Sequence, residues 1–167
     1  MKRIKLHTVQ LAKWRLVREL GIHLLDITAK SGNPAFAPNY GDLRSYKHQG
    51  MAWDEYERRY RLHMRETQRD QPEEWLKLTE LPENVALACY CPAGAKCHRF
   101  LFREILTEYL GRHNVEAVDG REITGYVDNN NSELQEHVSK AQPTVSSGSL
   151  PLAVPGSSTS ASSPPGS

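Results

Sequence analysis

Long apolar runs are missing from this chain. None of its 167 residues belongs to a stretch approaching the ~18 consecutive apolar residues of a membrane span, so a membrane protein is not expected. An excess of either charge is missing too. Lys and Arg number 21 against 20 Asp and Glu, and this balance gives no polyelectrolyte signature for nucleic acid or a lipid surface. Nucleic acid stays an open partner that net charge does not indicate. The charged start, Met1 to His7, has no apolar run behind it, so a secretory signal is not expected. Cysteine is scarce: Cys89, Cys91 and Cys97 are the only three, and all lie within nine residues. A disulfide framework spreads an even number of cysteines to close loops, which this group cannot do. Reduced thiols in a cytoplasmic protein are the simpler expectation, with metal binding and reactivity both open. No internal repeat is visible.

What is present is enough for one domain with a sizeable core and too little for two. The last 27 residues, 141–167, contain no Asp, Glu, Lys or Arg, and 17 of them are Ser, Pro or Gly. Such composition cannot bury enough apolar surface to offset its ordering entropy. The expected organisation is an α/β domain over residues 1–128 and a polar, disordered tail over 129–167, with 132–140 as a short polar helix.

Within the domain, strand and helix patterns alternate. Arg3 to Leu6 reads as a short strand. Thr8 looks like a helix N-cap, because Val9, Ala12, Leu16 and Leu20 recur at helical spacing until Gly21. Ile22 to Ile27 suits a buried strand ending at Asp26. Residues 30–50, rich in Gly, Pro, Asn and Ser, read as a long irregular segment of the kind that is usually functional or mobile. Ala52 to Gln68 follows as a charged amphipathic helix, and Pro72 opens another, shorter one. Val85 to Tyr90 reads as a buried strand. Arg99 to Leu110 reads as a helix stopped by Gly111, and Val115 to Val118 as the last strand. This order predicts a layered α/β fold whose sheet is largely parallel and flanked by helices.

The residues most suggestive of chemistry run Cys89-Tyr90-Cys91-Pro92-Ala93-Gly94-Ala95-Lys96-Cys97-His98-Arg99. They lie where a strand gives way to a helix, the edge at which open α/β sheets bind ligands. Gly94 leaves room for a ligand to approach the backbone. The helix start offers free N–H groups, and Lys96 and Arg99 add charge, which together suit a phosphate or carboxylate. The same surroundings are expected to lower the pKa of Cys97, as a nucleophilic thiol requires, with His98 as base or orienter. Zinc held by Cys89, Cys91, Cys97 and His98 is the competing reading. It is the less favoured, because structural zinc sites space each ligand pair about two to four residues apart. The bland reading makes Cys89 a small core hydrophobe and Arg99 a structural cap.

The pattern Leu87-Ala88-Cys89, then Cys97-His98-Arg99 and an apolar helix, resembles the bacterial and phage domain-of-unknown-function family 488. Leu24-Leu25-Asp26-Ile27, followed by a Ser/Asn/Pro segment, resembles that family's aspartate-ending strand. The likeness spans about residues 20–118 and implies an α/β fold in which Asp26, Cys89, Cys97, His98 and Arg99 converge on one pocket. Cys91 is extra to the pattern, and Thr28-Ala29-Lys30 replaces the arginine that commonly follows the aspartate. The family has no settled biochemical role.

The expected function is therefore the binding or processing of a small anionic, nucleotide-like ligand, by group transfer or hydrolysis if the protein is an enzyme. Cys97, His98, Asp26 and Cys89 are the candidate catalytic residues. Gly94, Lys96, Arg99, Lys30, Ser31, Asn33 and Tyr40 are the candidate ligand contacts; Phe36 and Tyr40 are able to stack on a base, although such aromatics more often pin a loop to the core. Asp26 has a nearly equal reading as the cap of its own loop through Thr28 or Ser31. A non-catalytic binding protein with a structural or zinc-bound cluster is the alternative. The arginines of Glu55 to His63 fit a solvated ion-pair face better than a nucleic-acid surface.

Overall fold

A computed structural model describes residues 1–125; the expected tail and its short helix lie outside the described residues. Four parallel strands form one sheet in the order β2-β3-β1-β4, with β1 Lys2–Gln10, β2 His23–Asp26, β3 Asn84–Cys89 and β4 Val115–Ile123. Five helices accompany them: α1 Trp14–Glu19, α2 Tyr40–His48, α3 Trp53–Asp70, α4 Pro72–Lys77 and α5 His98–Arg112. The α/β architecture with a parallel, helix-flanked sheet is as expected from the strand and helix alternation. None of the helices among the described residues is long and apolar enough to cross a membrane.

The strand sequences explain the layering. In β3, Val85 and Leu87 face one side while Ala86 and Ala88 face the other, and all four are buried. A strand covered on both faces reads as a continuous apolar run, which is why β3 was legible. The Val85/Leu87 side holds the main core, where Tyr60 and Met64 of α3, Trp75 of α4 and Phe102 and Leu106 of α5 pack with Ile4 and Leu6 of β1. The opposite side is thinner, with Val17 and Leu16 of α1 against Val9, Ala86, Ala88 and Ile123.

Three expectations need correction. Thr8 caps no helix; it is buried within β1, which runs on to Gln10, and the helix begins only at Trp14 after one 3₁₀ turn. As a central strand, β1 buries Leu6, His7, Thr8 and Val9 in succession, so the period of two that marks a strand is lost. Gly111 does not stop α5, which continues to Arg112 and turns at Asn114 with φ 57°. Residues 40–48, read as irregular, are α2. Asn39 caps it, its side-chain oxygen accepting from the Gly41 and Asp42 N–H groups at 2.9 and 3.3 Å. Asp42 in the first turn completes a start signal that the Gly and Ser content obscured.

The arginines between Glu55 and His63 are paired as anticipated: Arg58 and Arg59 hold Glu55, Arg59 also reaches Asp42, and Arg61 lies between Glu57 and Glu104. Phe36 pins its loop to the core, the commoner role of such a loop aromatic, and is not available as a stacking surface. It meets the Trp75 ring edge-on at 5.4 Å and Phe102 at 5.4 Å. Trp14 is 40% exposed on the thin side.

Candidate functional site

Because the sheet is parallel, the carboxyl ends of β2 and β3 share one edge, and the loops leaving them build the site. The first loop is tied by its own polar side chains. Asp26 accepts from the Thr28 N–H through one oxygen at 2.8 Å and from the Ser31 hydroxyl through the other at 2.6 Å. The Ser31 N–H donates to the Thr28 hydroxyl at 3.2 Å. This is local turn chemistry of the kind Asp and Ser supply. Gly32 closes it: a Cβ there would stand 2.6 Å from the Thr28 N and O and 2.7 Å from the Asp26 O. Gly32→Ala is expected to lower stability by about 1–3 kcal/mol through overpacking, read as a lower urea midpoint at unchanged slope.

The second loop carries the cysteines. Cys97 is the N-cap of α5, its sulfur accepting from the Arg99 N–H at 3.5 Å. The Cys89, Cys91 and Cys97 sulfurs all lie within 4.8 Å of one another. His98 is buried beside them, its ring 5.5 Å from that of Tyr60. Its Nε2 is 2.9 Å from the Ile27 carbonyl. A carbonyl only accepts, so Nε2 carries the proton and the Nδ1 lone pair is free. That Nδ1 lies 3.8 Å from both the Cys89 and the Cys97 sulfur. Burial holds the His98 pKa below its ordinary value, which keeps the ring neutral.

The thiol protons distribute unevenly. Hydrogen bonds from Cys89 and Cys97 bring Cys91 down to about 2, and the Lys47 ammonium, 3.4 Å away, adds to the effect. Cys89 is pushed up by its hydrogen bond with Cys91, and Cys97 first by its hydrogen bond with Cys89 and then by that with Cys91, with burial adding to both. The lowered pKa expected at Cys97 is thus found at Cys91, because Cys97 is sealed (2% exposed) and leans its proton toward a neighbour.

A cavity of about 230 Å³ opens beside the cluster, lined by Thr28, Ala29, Lys30, Tyr40, Leu43, Lys47, Cys89, Tyr90, Cys91 and His98. Of the expected contacts, Lys30 and Tyr40 line it, as do Cys89 and His98. Ser31 stands at its side, its hydroxyl 3.5 Å from the Tyr90 hydroxyl. The others are engaged elsewhere. Asn33 accepts from the Ala35 N–H and donates to Glu74, pinning the loop to α4. The Gly94 N–H donates to Glu122, and the Lys96 ammonium lies 5.9 Å from the centre of the Trp53 ring. Arg99 is fully buried; it holds the Cys91 and Pro92 carbonyls at 2.7 and 2.9 Å and pairs with Glu122.

Lys47, Leu43 and Tyr90 are lining residues that the sequence reading passed over. Once α2 is recognised, Tyr40, Leu43 and Lys47 fall at helical spacing on one face, so the Asn39 cap was the signal for two of them. Chemically, the arrangement offers an apolar slot bordered by two lysines and two exposed tyrosines, with Cys89, Cys91 and His98 among its lining residues.

A family model named DUF488-N3a, described as the active DUF488-N3 subclade, matches residues 26–110. The chain belongs to the domain-of-unknown-function family 488. The matched segment runs from the last residue of β2 into α5, and so takes in both loops and the whole cavity lining. No curated protein and no solved structure matches the chain.

Proposed function

We propose that this protein binds a small anionic, nucleotide-like ligand in the cavity between α2 and the ends of β2 and β3. The observation that carries this reading is the pair of lysines beside an apolar slot. Lys30 and Lys47 are among its lining residues, chiefly through their apolar stems, and no Asp or Glu is among them. Tyr40 and Tyr90, 69% and 53% exposed, stand as flat surfaces at its sides. Pockets for whole drug-sized ligands occupy roughly 300–1,000 Å³, so this one takes part of a nucleotide, a phosphate-bearing sugar or a base, with the remainder outside. The description of the matched subclade as active favours a ligand that is processed, by hydrolysis or group transfer. The burial of Cys89 and Cys97 and the carbonyl-held His98 favour binding without turnover. Asp26, with both oxygens engaged by its own loop, serves as a positioning residue in either version.

Calorimetric titration with nucleoside 5′-monophosphates and the matching nucleosides tests the proposal. Each charged hydrogen bond contributes about 1.5–3 kcal/mol, or roughly 10- to 100-fold in affinity. The monophosphate is expected to bind at least about tenfold more tightly than its nucleoside, and Lys30→Ala and Lys47→Ala each to remove a factor of that order. Equal affinity for the two ligands, or variants that bind as the parent does, would overturn it. Chromatography of the same mixtures separates an enzyme from a binder.

A further inference from the structure

We propose that Cys89, Cys91, Cys97 and His98 Nδ1 form a tetrahedral site for a thiophilic divalent metal, zinc above all, at the floor of the cavity. Bond lengths of about 2.3 Å to sulfur and 2.05 Å to nitrogen place tetrahedral donors about 3.8 Å apart for S···S and about 3.6 Å for S···N. The two Nδ1–sulfur distances here are 3.8 Å, and the three sulfurs fall within 4.8 Å. The three sulfurs form the compact part of the donor set, and His98 Nδ1, next to two of them, has to close the remaining gap to Cys91 by a side-chain movement.

The spacing objection to such a site comes from one-dimensional reasoning. Gly94, at φ 76°, bends the loop back on itself, and Cys97, in extended backbone at the helix start, points its sulfur toward Cys89. His98 then follows on the first helical residue and delivers its ring to the same point.

Three further features fit metal thiolates better than free thiols. The His98 Nε2–H is held by the Ile27 carbonyl, the kind of outer contact that orients a ligating imidazole and leaves its other nitrogen for the metal. Cys97 accepts from the Arg99 N–H, and Cys91 from the Lys47 ammonium, so two sulfurs sit as acceptors. A divalent ion with three thiolates and a neutral imidazole carries a charge of −1, which Lys47 balances. With four protein ligands the site is closed, so its role is to hold the two ends of the cysteine loop and shape the cavity floor.

The test uses the full chain, stripped with chelator under reducing conditions and titrated with cobalt(II) and then zinc(II). The expected result is one cobalt per chain, with thiolate-to-cobalt charge-transfer bands and strong tetrahedral d–d bands, displaced one-for-one by zinc. Cys91 is half-buried, so Cys91→Ser is the variant that best keeps the fold. It should bind at least about tenfold more weakly and lose about one-third of the charge-transfer intensity, as three thiolates become two. His98→Gln should keep the charge-transfer bands and shift the d–d bands. No saturable cobalt site in the parent chain, only weak octahedral bands, or a Cys91→Ser titration identical to the parent would overturn the proposal.

Discussion

Arg99→Ala is expected to destabilise the protein by about 3–5 kcal/mol, the range for removing one partner of a buried ion pair. Global stabilities are about 5–15 kcal/mol, so this one change takes a large part of the total. The reason is the number of groups left behind. The fully buried guanidinium holds the carbonyls of Cys91 and Pro92 and the carboxylate of Glu122. Alanine strands all three and leaves a cavity. Lysine does not rescue it, because a single ammonium cannot present the planar fork that reaches both carbonyls and the carboxylate. The double variant Arg99→Ala/Glu122→Gln should cost less than the sum of the singles, since it also removes the stranded charge. Urea denaturation of the four proteins checks both statements; strict additivity would mean that Arg99 and Glu122 do not act as a pair.

Trp75→Ala should cost a similar amount, about 3–5 kcal/mol for truncating a buried aromatic, at a place far from the cysteines. Trp75 is fully buried. Its ring packs on Phe36 at 5.4 Å, Tyr109 at 5.1 Å and Phe102 at 5.8 Å. Its indole N–H donates to the Thr67 hydroxyl at 3.1 Å, which itself donates to the Met64 carbonyl. It therefore joins α3, α4 and α5 and, through Phe36, the loop leaving β2. Trp75→Phe keeps most of the ring contact and loses the N–H bond, for about 1–2 kcal/mol. Thermal unfolding of both variants separates packing from hydrogen bonding; equal losses would mean that the hydrogen bond carries the effect.

The contrast between Trp75 and Arg99 shows what could be read from sequence. Trp75, Leu78 and the Val85–Cys89 run belong to regular elements, where periodicity and composition announce burial, and the parallel α/β sheet followed from them. Positions whose role is set by distant partners were not legible. Arg99 at a helix start looks like an anion receptor, yet its acceptors are its own loop and a carboxylate 23 residues further on, in β4. Cys97 looks like a thiol activated by a helix dipole, but its hydrogen bonds with Cys89 and Cys91, together with burial, push its pKa up instead. Lys47 had no visible role until α2 was seen as a helix. Asp26 was read two ways, and its two hydrogen bonds to Thr28 and Ser31 are those of a turn.

Sequence spacing argued against Cys91 sharing a metal with the other cysteines, yet the loop's path brings its sulfur within 4.8 Å of those of Cys89 and Cys97.

The central claim is that ligands enter between α2 and the ends of β2 and β3. Backbone amide chemical shifts, followed while a nucleoside monophosphate is titrated into uniformly ¹⁵N-labelled protein, test it most directly. Saturable shifts confined to Thr28–Ser31, Tyr40–Lys47 and Cys89–Cys91 are expected. Shifts centred on the groove of Trp14, Arg18, Ile22 and Leu24 on the opposite side of the sheet, or no saturable shift with any nucleotide, would contradict it.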